Sequence, residues 1–183
     1  LALFDPDHPL HAVHAARLAR TLLGLAVGAA LALAGACLQG LTRNPLADPG
    51  ILGINAGASF AMVLAMAFFG VSSLQGYLWF AFAGAAVAAV AVHTIASFGR
   101  DGATPVKLAI AGAALAAALA SWTSGVLLAD RQTMQVYRFW AVGTIGGRGY
   151  DVLLTGLPFL ILGALLALAA AQALNTLALG DDL

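Results

Sequence analysis

Pro49–Gly99, PGILGINAGASFAMVLAMAFFGVSSLQGYLWFAFAGAAVAAVAVHTIASFG, runs for 51 residues without an Asp, Glu, Lys or Arg. A bilayer's hydrocarbon core is about 30 Å thick, and a helix crosses it with about 20 apolar residues. The run is too long for one crossing and suits two, broken at Gly70-Val71-Ser72-Ser73-Leu74-Gln75-Gly76. Working outward, 22 uncharged residues separate Arg20 from Arg43, and further apolar runs cover Leu108–Ala129 and Val152–Leu174. Each run can satisfy its own backbone as a helix, which the bilayer interior demands. The expected fold is all-α, a polytopic membrane helix bundle of about five spans near 21–41, 52–70, 76–98, 107–129 and 152–174. Residues 1–183 read as one transmembrane region of a larger protein.

Composition agrees. The chain is 62% hydrophobic and 9% charged, whereas a soluble domain carries about 25% charged residues. Eight Lys+Arg balance eight Asp, so no basic patch points to nucleic acid. Cys37, the single cysteine, has no partner within the chain for a disulfide. The start lacks Met and a basic signal-peptide region, and the close at Gly180-Asp181-Asp182-Leu183 is abrupt. Both features lead us to expect a segment of something longer.

The spans are rich in Ala and Gly. Gly24/Gly28, Ala32/Ala36 and Gly53/Gly57 set small residues one turn apart, which lets helix backbones approach closely in lipid. In so Ala-rich a chain some of these pairs arise by chance. The connections are more specific. Asn44-Pro45-Leu46-Ala47-Asp48-Pro49-Gly50 must break the first helix; it reads as a tight helix–helix loop or a partly buried re-entrant turn. Asp130–Asp151 holds Arg131, Arg138 and Arg148 with Tyr137, Phe139, Trp140 and several glycines. It reads as a short interfacial helix before a flexible turn, or as a plain interfacial loop.

Candidate chemistry is sparse. His8, His11 and His14, near Asp5 and Asp7, offer at most a weak metal site, and a solvated amphipathic leading segment accounts for them better. His93 lies near Arg100 and reads as interfacial rather than as an intramembrane functional group. Lys107, the only lysine, follows no glycine-rich phosphate loop, and neither a G-x-S-x-G nor an HExxH motif occurs. No pair of carboxylates lies inside a span, which counts against a proton relay. The expectation is a non-enzyme with no cofactor and no metal.

Four stretches in order carry a resemblance: Arg17-Leu-Ala-Arg20-Thr21; Gln39-GLTRNPLADPGILGINA-Gly57; Phe139-Trp140-Ala-Val-Gly143 with Gly146-Gly147; and Leu177-Ala178-Leu179-Gly180-Asp181. Together they resemble the FecCD/BtuC-type permeases, the membrane subunits of binding-protein-dependent ABC importers for iron-siderophores, haem and cobalamin. The resemblance implies a multi-pass protein of the cytoplasmic (inner) membrane, of which about half the helices are present. It implies four partners: a cytoplasmic ATP-binding subunit, an extracytoplasmic solute-binding protein, a second permease copy and the lipid bilayer.

It also implies residue roles. Arg17 and Arg20 fall where the binding protein docks, with Ala19 in place of the family's usual proline. The fourth span falls where the pathway is lined, with an inner gate at Ala103, Thr104, Pro105 and Val106. The Arg131–Gly147 segment, including Arg138 and Trp140, falls at the outer gate. Leu177, Ala178, Leu179, Gly180, Asp181 and Asp182 begin the loop that meets the ATPase. Asn44, Pro45, Asp48, Pro49 and Gly50 form the family's helix-break motif. One count opposes the implied orientation. Arg17, Arg20, Arg131, Arg138 and Arg148 share one side, against Arg43, Arg100 and Lys107 on the other; the positive-inside rule alone makes the first side cytoplasmic. A self-contained channel or secondary carrier is the alternative, and a solute-free membrane scaffold is a third class.

Overall fold

The computed structural model describes residues 11–99, 102–146 and 149–179. Among them are six α-helices and one 3₁₀ turn: α1 (His11–Thr42), the turn Pro49–Leu52, α2 (Ile54–Phe69), α3 (Leu74–Ser97), α4 (Pro105–Ala129), α5 (Arg131–Ala141) and α6 (Tyr150–Leu179). Four of these helices, α1, α3, α4 and α6, are long and apolar enough to cross a membrane. Helix α2, in the run expected to span 52–70, has 16 residues. It is short because Pro49–Leu52 winds as a 3₁₀ turn, closed by Gly53 at φ 69°.

Helix α1 begins ten residues before the uncharged run, because Arg17 and Arg20 are good helix formers and nothing breaks the chain there. Its end has a defined mechanism. Arg43 takes the left-handed conformation (φ 51°), and the Asn44 amide donates to the Gln39 carbonyl at 3.2 Å. This six-to-one bond is that of a Schellman cap, with arginine at the position usually given to glycine.

The chain divides into two compact units. One comprises residues 38–142. There α2 lies against α3 through a mutual glycine contact. A Cβ on Gly57 would meet the Gly84 carbonyl at 2.5 Å, and one on Gly84 would overlap the Gly57 carbonyl and the Ala61 Cβ. The core beneath holds Met62, Val63, Ala65, Ala88 and Val92, each no more than 3% exposed. Val92, Ala96 and Ala111 carry this core to α4, with Leu52, Ala103, Leu108 and Leu115 packed around them.

The other unit comprises residues 1–37 and 143–183. Ala19 and Leu23 are buried on α1, and a Cβ on Gly24 would lie 3.6 Å from the Ile145 Cδ1. An apolar gap of about 180 Å³ separates Ala30, Leu33 and Ala34 of α1 from Phe159, Leu160 and Gly163 of α6. Nothing in the apolar stretch of α6 is buried. Pro158 sits inside α6 and removes one backbone donor from it.

Candidate functional site

The helix-break motif is built from local hydrogen bonds. Asn44 Oδ1 accepts from the Leu46 amide at 2.9 Å, and the Asn44 carbonyl accepts from Ala47 at 3.1 Å. Asp48 Oδ1 then accepts from the Gly50 amide at 2.7 Å, capping the 3₁₀ turn with Pro49 in its first position. These are the turn roles expected of Asn, Asp, Pro and Gly. The turn is partly buried: Ala47 is 6% exposed and Gly53 is buried. Of the two readings the sequence left open, this favours the buried turn, because Ile51 and Leu52 rest on α4 at Gly112. A Cβ on Gly112 would overlap the Ile51 carbonyl oxygen.

Helix α4 starts two turns before that contact. Thr104 is its N-cap, its Oγ1 accepting from the Lys107 amide at 3.3 Å, and Pro105 occupies the first turn. Lys107 Nζ donates to the Gly102 carbonyl at 3.0 Å and ties the preceding loop to the helix. Pro105 and Val106 are exposed, and Thr104 is half-buried. A cavity of about 200 Å³ brings the break motif and this helix start together. Leu38, Thr42, Asn44 and Ala47 line one side, with Ile51, Leu52, Pro105, Val106 and Ala109 completing it.

Helix α4 buries Ala111, Gly112, Leu119 and Thr123. Its opposite face exposes Ala113, Ala117, Ala120, Ser121 and Ser124. The hydroxyls of Ser121 and Ser124 donate to the Ala117 and Ala120 carbonyls, both at 2.9 Å, so this face offers little polarity. A larger apolar cavity, about 450 Å³, lies among α2, α3 and α4; its walls include Phe60, Val87 and Trp122. The Phe60 and Trp122 rings are tilted, 5.8 Å apart.

At the far end of α4, about 37 Å away at 1.5 Å per residue, Asp130 caps α5. Its Oδ1 accepts from the Gln132 amide at 3.0 Å and its Oδ2 from the Thr133 hydroxyl at 2.5 Å. The Thr133 hydroxyl, then the Gln132 amide, hold the Asp130 carboxyl below its ordinary pKa. Helix α5 is amphipathic: Thr133, Tyr137 and Trp140 face inward at helical spacing, while Arg131, Gln135 and Arg138 are exposed on another side. The Tyr137 and Trp140 rings lie 5.8 Å apart. The 130–151 connection thus contains a true short helix.

The remaining expected residues fall elsewhere. Arg17 and Arg20 are exposed on α1, and the Thr21 hydroxyl donates to the Arg17 carbonyl at 3.0 Å. His93 is exposed near the end of α3. The backbone of Leu177, Ala178 and Leu179 continues α6 as helix rather than opening a loop. Gly180, Asp181 and Asp182 lie outside the described residues, as do Asp5, Asp7, His8, Arg100, Gly147 and Arg148. Among the described residues no group of His, Cys, Asp and Glu could hold a metal ion. Sequence reasoning missed Gly84 and Gly112 as contact points. Their only signal is that each is a glycine inside an alanine-rich stretch of helix, which costs about 1 kcal/mol relative to Ala and so needs a packing reason.

Comparison with known proteins places this geometry. The chain is 53% identical over 168 residues to the ferric enterobactin transport system permease FepD of Escherichia coli K12, covering 91% of this chain and 50% of FepD. It is 43% identical over 166 residues to the siderophore transport system permease YfiZ of Bacillus subtilis 168, covering 91% and 50%. The cobalamin import permease BtuC of Halobacterium salinarum is 36% identical over 167 residues, covering 91% and 44%. A solved inward-facing conformation of a metal-chelate type ABC transporter superposes with TM-score 0.75 and 28% identity, covering 99% of this chain and 56% of that one. The chain spans about half the length of the curated relatives it matches. The FecCD transport family matches residues 2–183, and the chain belongs to that family.

Proposed function

We propose that the chain is about half of an ABC-importer permease subunit, a single transmembrane region that moves a metal chelate across the cytoplasmic membrane. The observation that carries this is the family match over residues 2–183. The chelate class is iron-siderophore, haem or cobalamin-type, and a ferric siderophore is favoured. The siderophore permeases are 53% and 43% identical, the cobalamin permease 36%. A separate cytoplasmic ATPase supplies the power, an extracytoplasmic binding protein delivers the chelate, and two permease copies enclose the pathway. The chain is not itself an enzyme.

Within that reading, α4 lines the pathway with its small-residue face, Ala113, Ala117, Ala120, Ser121 and Ser124. Thr104, Pro105 and Val106 form the inner gate, and Arg138 and Trp140 belong to the outer one. Arg17 and Arg20 dock the binding protein, where guanidinium groups can form bidentate pairs with carboxylates. Residues 177–182 couple to the ATPase, so the end of α6 transmits the motion as helix. This orientation puts five positive charges outside, against the positive-inside count, and gives them a docking partner to attract.

The test is to purify the full-length parent from its native membrane in mild detergent and identify co-purifying subunits by mass spectrometry. An ATP-binding subunit should accompany the native protein and be lost from the Gly180→Trp/Asp181→Arg variant. Absence of any ATPase across several mild detergents would overturn the importer assignment. Solute flux without ATP would instead select a self-contained channel or carrier.

A further inference from the structure

We propose that Gly112 is the fulcrum of α4, and that the space beside Ala109 is where the first two turns of the helix move when the inner gate opens; this rests on the importer reading above. Ile51 and Leu52 meet α4 at Gly112 backbone to backbone. A Cβ on Gly112 would overlap the Ile51 carbonyl and come within 2.9 Å of the Leu52 Cα, and a Cβ on Gly53 would lie 3.0 Å from the Gly112 carbonyl. Backbone atoms cannot yield by changing rotamer, so the helix is held firmly at this point. The contact sits seven residues, about 10 Å, from the helix start at Pro105.

Between fulcrum and helix end the surroundings are unequal. On one side Leu108 and Ala111 pack on Val92 and Ala96, which leaves no room. On the other, the cavity of about 200 Å³ separates Pro105, Val106 and Ala109 from Leu38, Thr42 and Asn44. This space is a groove open on one side, with Asn44, Ile51, Pro105 and Val106 exposed along it, so α4 meets no packed side chain in that direction and tilts that way at least cost. The Thr104 cap and the Lys107–Gly102 hydrogen bond bind the loop to the first turn. Residues 102–104 and the first turn therefore travel together. Gly112 and Ala109 are positioning residues: they act on the pathway through Thr104–Val106.

The experiment uses the full-length permease with its ATPase and binding protein in proteoliposomes. Ala109→Leu fills the space with apolar volume. Thermal stability and basal ATP hydrolysis should hold, while chelate uptake falls about five- to a hundredfold, the range of an ordinary coupling free energy. Unchanged uptake, or uptake lost in step with stability and hydrolysis, overturns the proposal. A cysteine-free permease carrying a Val106→Cys reporter gives a second reading that needs no uptake. Its labelling by an impermeant maleimide should change on ATP addition in the parent and not with Ala109→Leu. Gly112→Ala, which props the turn off α4, should raise labelling in the resting state; no rise overturns the fulcrum. If the unmodified complex shows no ATP-driven uptake, the importer reading fails, and the resting-state labelling of Gly112→Ala still judges the fulcrum.

Discussion

The two units use the same residues to different ends. In residues 38–142, three helical glycines are places where backbones touch: Gly57 against Gly84, and Gly112 against Ile51 and Leu52. In residues 1–37 and 143–183, the helical glycines Gly28, Gly35, Gly156 and Gly163 have nothing among the described residues within 4 Å of a would-be Cβ. The large apolar side chains there, such as Leu25 (66% exposed), Leu31 (65%) and Leu166 (62%), point away from the chain. In lipid, association between helices rests on close packing rather than on hydrophobicity. One unit therefore carries its own packing. The other presents surface for lipid or for further protein.

The sharpest test of this contrast is one substitution in each unit. Gly84→Val drives side-chain atoms into the Gly57 carbonyl and the Ala61 Cβ, and should destabilise the full-length permease by about 3 kcal/mol, the upper end of ordinary overpacking. Gly28→Val meets nothing among the described residues and should stay within about 0.5 kcal/mol. Thermal unfolding in detergent compares them. Equal damage from both would break the contrast, and would show that α1 is covered at Gly28 by protein outside this chain.

The sequence and the structure agree most where the physics is one-dimensional. A span needs a run of apolar residues, and the uncharged stretches around Leu23–Leu41, Leu74–Ser97 and Leu108–Ala129 mark helices directly. Helix ends were less legible. Charge marks where hydrocarbon stops, but Arg17 and Arg20 are no obstacle to helix, so α1 extends beyond its uncharged run. The break at Asn44–Gly50 was legible because Pro, Asn, Asp and Gly each have a local reason to turn. Its partner was not. That Ile51 and Leu52 seat on Gly112 is a contact across sixty residues, and no local pattern encodes it. The same holds for Gly84. Gly53/Gly57 was one small-residue pair among several, and nothing in its spacing told it from Gly24/Gly28. Of the proposed site, family resemblance supplied the roles, and the structure adds that Asn44, Pro105 and Val106 border one cavity.

A middle-sized effect tests whether the packed unit also depends on its caps. Thr104→Ala removes the acceptor for the Lys107 amide and should cost about 1 kcal/mol. Hydrogen exchange should quicken at the amides of residues 106–108 while α6 is unaffected. Thr104→Ser keeps the oxygen and should restore most of the protection. If exchange quickens equally along α6, the two units are not energetically separate.

The smallest effect concerns pH and sharpens the same point at the far end of α4. The Asp130 carboxylate accepts from the Thr133 hydroxyl and the Gln132 amide, and its pKa is lowered from the ordinary 3.8. A carboxyl with a folded pKa below its unfolded value stabilises the folded state above the unfolded value, and loses that stabilisation as pH falls through the folded one. Protection of the Gln132–Met134 amides, corrected for intrinsic exchange, should therefore hold at neutral pH and decline only as pH drops below about 4. Asp130→Asn keeps a capping oxygen that cannot titrate, so its protection should be modestly lower and flat across that window. Asp130→Ala should lose protection at every pH and fray the first turn of α5. A wild-type profile as flat as that of Asp130→Asn would mean that the charge contributes nothing, and that Thr133, buried beneath α5, holds the helix by packing alone.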